Sequence, residues 1–170
     1  LCLNSDATVS DAGEVIGDPT EAALVVLAAK MGVDAETTRR AYPRLAEVPF
    51  DSAYKFMATF HDLPFEDGSH FVEFVKGGPD VVLARCSKAM LPDGEVDIGG
   101  VRDEILAANE SLSQRGLRVL AFAGRILDGR EAEVSADPMR FVEELTFVGM
   151  VGIIDPLRAE AAEAVRLAHQ

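Results

Sequence analysis

Long apolar runs are missing from this chain, and none approaches the ~20 residues that a membrane-spanning helix requires. The start, Leu1-Cys2-Leu3-Asn4-Ser5-Asp6, lacks the basic segment and apolar stretch of a signal peptide. Cysteine is scarce: Cys2 and Cys86 are far apart and form no Cys-x-x-Cys motif. That pattern points to a reduced, intracellular chain with neither a disulfide framework nor a zinc site. Basic residues are outnumbered, 16 Lys and Arg against 29 Asp and Glu, for a net charge of −13. Such a balance argues against non-specific nucleic-acid binding, which needs phosphate-neutralising cations. Any anionic ligand must then be held by a local basic cluster against an unfavourable global field.

Familiar chemistry is missing as well. Gly-x-x-x-x-Gly-Lys-Ser/Thr does not occur, which excludes a P-loop, and the absence of Gly-x-Gly-x-x-Gly disfavours a dinucleotide site. His-Glu-x-x-His and Gly-x-Ser-x-Gly are also missing, and the three histidines, His61, His70 and His169, are scattered. No activated nucleophile is evident.

What is present fits one domain of 170 residues, 48% of them hydrophobic. A helix is expected from Pro19 to Met31, with Asp18 as its cap, Glu21 at capping-box spacing and Gly32 as its stop. A short helix follows Asp34 and ends before Pro43. The period then changes, and 48–50, 55–60 and 70–76 read as strands, the last two forming an antiparallel hairpin. Gly77-Gly78-Pro79 opens a short helix over about 80–86, and Pro92-Asp93-Gly94 marks a turn. A longer amphipathic helix is expected over 101–114, then a strand at 118–123, a charged loop at 128–137 and a buried strand at 146–154. Asp155-Pro156 begins a final helix. Strands mixed with helices without strict alternation predict an α+β fold, an antiparallel β-sheet flanked by helices.

Four segments rise above this background: Gly17-Asp18-Pro19-Thr20-Glu21, the stretch from Pro49-Phe50-Asp51-Ser52 to Lys55-Phe56-Met57, Val75-Lys76-Gly77-Gly78-Pro79-Asp80, and Gly116-Leu117-Arg118-Val119-Leu120-Ala121. Each has a structural explanation when taken alone: a helix cap, a core phenylalanine, a solvated strand end, a turn. In this order they resemble the nucleotide-binding domain of P-type cation-transporting ATPases, over almost the whole chain. Asp155-Pro156-Leu157-Arg158 resembles the family's Asp-Pro-Pro-Arg hinge into the phosphorylation domain, with Leu157 in place of a proline. The match is closest to bacterial-type pumps that move calcium, sodium or similar cations, because the His-Pro pair of heavy-metal pumps is absent.

The resemblance implies a division at 154, with the nucleotide-binding domain over 1–154 and the hinge and first phosphorylation-domain helix over 155–170. It also implies an ATP site. Phe50 stands at the position that stacks on adenine, and Glu21 at that of the carboxylate accepting from its amino group. Lys55 and Lys76 match lysines that lie against the base or reach toward phosphate. Gly77 and Gly78 leave room for the ligand, Arg118 matches a phosphate-binding arginine, and Leu120 belongs to the same segment. Some members carry an arginine where Ser52 stands, which here removes one phosphate contact.

The family's phosphorylated Asp-Lys-Thr-Gly motif and its Thr-Gly-Glu loop do not occur in the chain. The resemblance therefore implies a domain that holds ATP, with Mg2+ in the intact enzyme, for transfer to an aspartate elsewhere in the same polypeptide. Its partners would be the phosphorylation and actuator domains, and it would reach the membrane only through a transmembrane domain outside this sequence. It is expected on the cytoplasmic side of a cell-membrane protein and is not expected to hydrolyse ATP alone. A first strand upstream of Leu1 would, if absent, leave a sheet edge open to self-association. The alternative is a binding or regulatory module that keeps the fold without recognising nucleotide.

Overall fold

The computed structural model describes residues 1–10 and 14–154. The expected hinge and final helix from Asp155 onward lie outside the described residues. A small antiparallel ribbon, β1 (Thr8–Val9) with β2 (Val15–Ile16), opens the chain, and no sequence signal had marked it. Helix α1 (Pro19–Lys30) follows, its free amides at Thr20 and Glu21 accepted by the Asp18 side chain. Only half of the anticipated capping box forms, because the Glu21 carboxylate is engaged by Asp6 and Lys76 instead. Asp34 caps α2 (Ala35–Ala41) through the amide of Thr37.

Strand β3 (Ala46–Val48) stops before Pro49, which can donate nothing to a ladder, so Phe50 lies outside the strand expected for it. Next come the hairpin strands β4 (Phe56–Phe65) and β5 (Gly68–Gly77), paired antiparallel from Phe56 opposite Gly77 to Phe65 opposite Gly68. Pro79 sits in the first turn of α3 (Pro79–Leu83), which ends short of the expected Cys86. Cys86 instead begins β6 (Cys86–Leu91), which turns back at Asp93 into β7 (Gly94–Asp97), a hairpin the sequence reading missed. Helix α4 (Arg102–Gln114) and β8 (Leu117–Ile126) follow. The stretch expected to be a charged loop carries α5 (Glu131–Ala136), and β9 (Leu145–Ile154) completes the sheet.

The seven-stranded sheet has the order β3-β4-β5-β8-β9-β6-β7. It is mostly antiparallel, as expected, but β6 and β9 pair parallel, so the sheet is mixed. Its edge strands have three and four residues, which limits the room for edge-to-edge pairing.

Side-chain alternation gives the sheet two unlike faces. Phe56, Ala58 and Phe60 of β4 and Phe71 and Val75 of β5 point into the main core, with Val82, Leu83, Val134, Phe141 and Leu145. Met57, Thr59 and His61 of β4 and Val72, Phe74 and Lys76 of β5 occupy the alternate positions. Over that second face lies the N-terminal segment with α1 and α2, which close a smaller cluster of Cys2, Ala7, Ala22, Val25, Ala28 and Ala35.

Candidate functional site

A cleft of about 630 Å³ opens between the N-terminus of α1, the loop before β4, the end of β5 and the start of β8. All nine residues singled out from the sequence line it: Glu21, Phe50, Ser52, Lys55, Lys76, Gly77, Gly78, Arg118 and Leu120. Asp6, Asp18 and Thr20 also line it and were not selected. Asp18 and Thr20 were within sight, since they belong to the segment that carries Glu21. Asp6 was not, because it comes from an irregular stretch with no motif.

The floor of the cleft is an ion pair. Lys76, only 5% exposed near the end of β5, donates from Nζ to Glu21 Oε1 at 2.5 Å and to the Asn4 carbonyl at 2.6 Å. Glu21 Oε2 accepts from the Asp6 amide at 2.9 Å, so both of its oxygens are anchored. Burial pulls the Lys76 pKa below the usual lysine value, with Glu21 and Asp6 opposing the shift. The Lys76 ammonium is thus committed to the base of the cleft and is not extended toward its mouth.

Lys55 adopts φ 58°, in the left-handed region that side chains rarely occupy. Its amide donates to the Asp51 carbonyl and its own carbonyl accepts from the Gly78 amide, so both neighbours fix the conformation. A Cβ on Gly77 would come within 2.5 Å of the Lys55 carbonyl oxygen and 2.8 Å of Phe56 Cβ. Gly77 is therefore required by the chain's own close approach, before any ligand is considered. A Cβ on Gly78 would meet only the Asp80 carboxylate, at 3.0 Å, which leaves that position closer to the role expected for it.

Phe50 is 60% exposed beside the cleft, an aromatic ring left out of the core. Across from it, Arg118 Nη1 donates to Thr20 Oγ1 at 2.7 Å, linking β8 to the first turn of α1. Three carboxylates (Asp6, Asp18, Glu21) and three cations (Lys55, Lys76, Arg118) line the cleft. The carboxylates are already engaged: Glu21 by Lys76, Asp6 by Arg44 at 2.6 Å, and Asp18 by the amides at the start of α1. Lys55, Lys76 and Arg118 thus bring three cations to one cleft within an acidic chain, the kind of cluster an anionic ligand needs. Among the described residues, no group of three or more His, Cys, Asp or Glu converges as a metal site, and no helix is long and apolar enough to cross a membrane.

Comparison with known proteins identifies the family. Residues 1–160 match the family described as P-type ATPase, cytoplasmic domain N. The chain is 36% identical over 167 residues to calcium-transporting ATPase 1 of Lactococcus lactis, covering 97% of this chain and 18% of that protein. It is likewise 36% identical over 173 residues to the cation-transporting ATPase pma1 of Synechocystis, covering 98% of this chain and 18% of that protein. Identity to the sodium/potassium exporting P-type ATPase cta3 of Schizosaccharomyces pombe is 33% over 172 residues, 100% of this chain and 16% of that protein. The chain spans less than a fifth of the length of these relatives. It belongs to the P-type ATPase family, in the region of cytoplasmic domain N.

Proposed function

We propose that this member of the P-type ATPase family holds the adenine end of ATP in the cleft and presents the γ-phosphate to an aspartate of a neighbouring phosphorylation domain. The observation that carries the reading is the convergence of Phe50, the Glu21–Lys76 pair, Gly78, Lys55 and Arg118 around one cleft of about 630 Å³. Adenine is flat and apolar on its faces, and the exposed Phe50 ring offers it a surface to stack on. Each Glu21 oxygen has a second lone pair beyond those used by Lys76 and Asp6, and adenine's amino group can donate to it. Lys76 is held at the floor, beside the base. Lys55 and the Arg118 guanidinium are the cations suited to the phosphates, and Mg2+ would enter with them.

The domain positions a reactant, and the covalent chemistry belongs to an aspartate motif that this sequence does not contain. In the parent protein the transfer would drive cation movement, with the phosphorylation and actuator domains as partners and the cell membrane reached through transmembrane helices. The names of the relatives above support that assignment. The isolated chain is then a binder and not a hydrolase.

An NMR titration of the 170-residue chain with ATP tests this. Weak, saturable shifts should map to the cleft, and Phe50→Ala should weaken binding about tenfold, the usual loss when a stacking ring is removed. Phe50 is outside the core, so the variant remains folded. Equal affinity in Phe50→Ala would refute the pocket. A folded sample without shifts up to millimolar ATP would establish a nucleotide-independent module.

A further inference from the structure

Residues Leu3 to Asp6 form no regular element, yet they supply both backbone partners of the buried pair. The Asn4 carbonyl accepts from Lys76 Nζ, and the Asp6 amide donates to Glu21. Carbonyls in such an irregular stretch need partners of their own. Arg44, which does not line the cleft, provides several at once. Its Nε donates to the Leu3 carbonyl at 3.2 Å, its Nη2 to the Ser5 carbonyl at 2.8 Å and its Nη1 to the Asp6 carboxylate at 2.6 Å. A rigid guanidinium fork can hold three acceptors in fixed relation, which a single ammonium cannot. Arg39 grips the same stretch separately, at the carbonyls of Cys2, Ser5 and Ala7.

We propose that Arg44 is a positioning residue for the cleft: it locks Leu3–Asp6 so that the Asn4 carbonyl and the Asp6 amide hold Lys76 and Glu21 in place. Arg44 acts through the backbone of that segment and touches neither member of the pair. Its consequence for affinity rests on the nucleotide reading, whereas its geometric content stands without a ligand.

The test uses Arg44→Gln and Arg44→Lys in the 170-residue chain, with Arg39 keeping the segment attached. Two ligand-free signals report the pair: the Lys76 ε-carbon and the Glu21 carboxyl-carbon resonances. Arg44→Lys preserves the charge, so displacement of both signals in that variant reports geometry and not the loss of a nearby field. Both signals should move in both variants, and ATP affinity should fall about fivefold in each, the equivalent of one lost hydrogen-bonding anchor. Glu47→Gln, which removes the other carboxylate on Arg44 at 2.9 Å but leaves the carbonyl grips, should match the parent chain. Unmoved signals in folded Arg44→Lys overturn the proposal, as does full recovery of parent behaviour by Lys, which would reduce Arg44 to a charge partner of Asp6. Should Arg44→Gln fail to fold, Arg44→Lys decides alone. Displaced signals in a chain whose parent form binds no ATP would uphold Arg44 as the positioning residue and reject only the nucleotide reading.

Discussion

On one face of the sheet, Phe56, Phe60, Phe71 and Val75 pack against Val82, Leu83, Val134 and Phe141, a core held almost wholly by apolar burial. On the other, the N-terminal segment is tied down by polar bonds: Asn4 Nδ2 to the Phe74 carbonyl, Lys76 to Asn4 and Glu21, Arg39 and Arg44 to a row of backbone carbonyls. Apolar burial is non-directional, and it can tolerate small shifts in where a side chain sits. Hydrogen bonds to charged groups fix both distance and direction. The cleft lies on the polar face, where a carboxylate and an ammonium must stand at set places. The apolar face supplies the stability that such a costly arrangement draws on.

The difference can be broken most severely at Phe60. It is fully buried in the main core with its ring stacked toward Phe71, and Phe60→Ala should cost about 3–5 kcal/mol in denaturant unfolding. The cleft residues should keep their ligand-free resonances in the folded fraction. Displacement of the Lys76 and Glu21 signals comparable to that in Arg44 variants would show that the two faces are not separable.

The comparison is sharpened by its exception. Glu73 is fully buried on the apolar face, between Phe71 and Val75, and neither of its oxygens has a hydrogen-bond partner among the described residues. Arg125 Nε stands 3.9 Å away, too far for a hydrogen bond. Burial raises the Glu73 pKa from 4.5 to about 8, with the Arg125 charge opposing. A raised folded pKa means that its stabilising share is complete below about pH 4.5 and is lost as pH climbs toward 8. Glu73→Gln should remove that decline, which has a slope of at most about 1.4 kcal/mol per pH unit. Identical pH slopes in variant and parent would show that Glu73 is not held neutral.

The smallest effect concerns two histidines. His70, at the exposed end of the hairpin, bonds Asp128 and Asp67, and these carboxylates raise its pKa above 6.5. His61 is buried on the polar face with Nδ1 toward the Tyr42 and Pro43 carbonyls, and burial lowers its pKa. Proton NMR should find them titrating on opposite sides of the ordinary value. The His70 contribution to stability is present below pH 6.5 and fades as pH rises through its folded pKa, a step that His70→Asn should flatten. A parent chain whose His70 titrates at or below the ordinary value would contradict the geometry.

Elements with strong local signals were legible in the sequence. Asp18 and Pro19 announce α1, and short runs rich in apolar and aromatic residues between turn residues announce the β4–β5 hairpin and β8. The β6–β7 hairpin was not, for a definite reason. Its first strand buries only Cys86 and Ala89, three positions apart, because the ladder shifts between Cys86 and Lys88. A bulge turns a period of two into one that resembles a helix. Helix α5 hides for another reason, since only Val134 of its six residues is buried. In the cleft, the ordered motifs led to the nine residues that meet there. Asp6 and the Arg44 grip were invisible, because they depend on backbone groups of an irregular segment whose sequence carries no period.

The parallel pairing of β6 with β9 also bears on the order in which the chain can be built. Strands β4 and β5 can join as soon as both have left the ribosome, since their ladder is local. The β6–β7 hairpin can form early but is joined to the rest of the sheet only through β9, the last described strand. Until Leu145 to Ile154 emerge, two of the seven strands wait without their neighbour, and closing that gap is the most non-local step in assembling the sheet. A nascent chain halted before β9 would hold a finished hairpin beside an unfinished sheet, a form in which the quality-control machinery of a cell would find exposed strand edges.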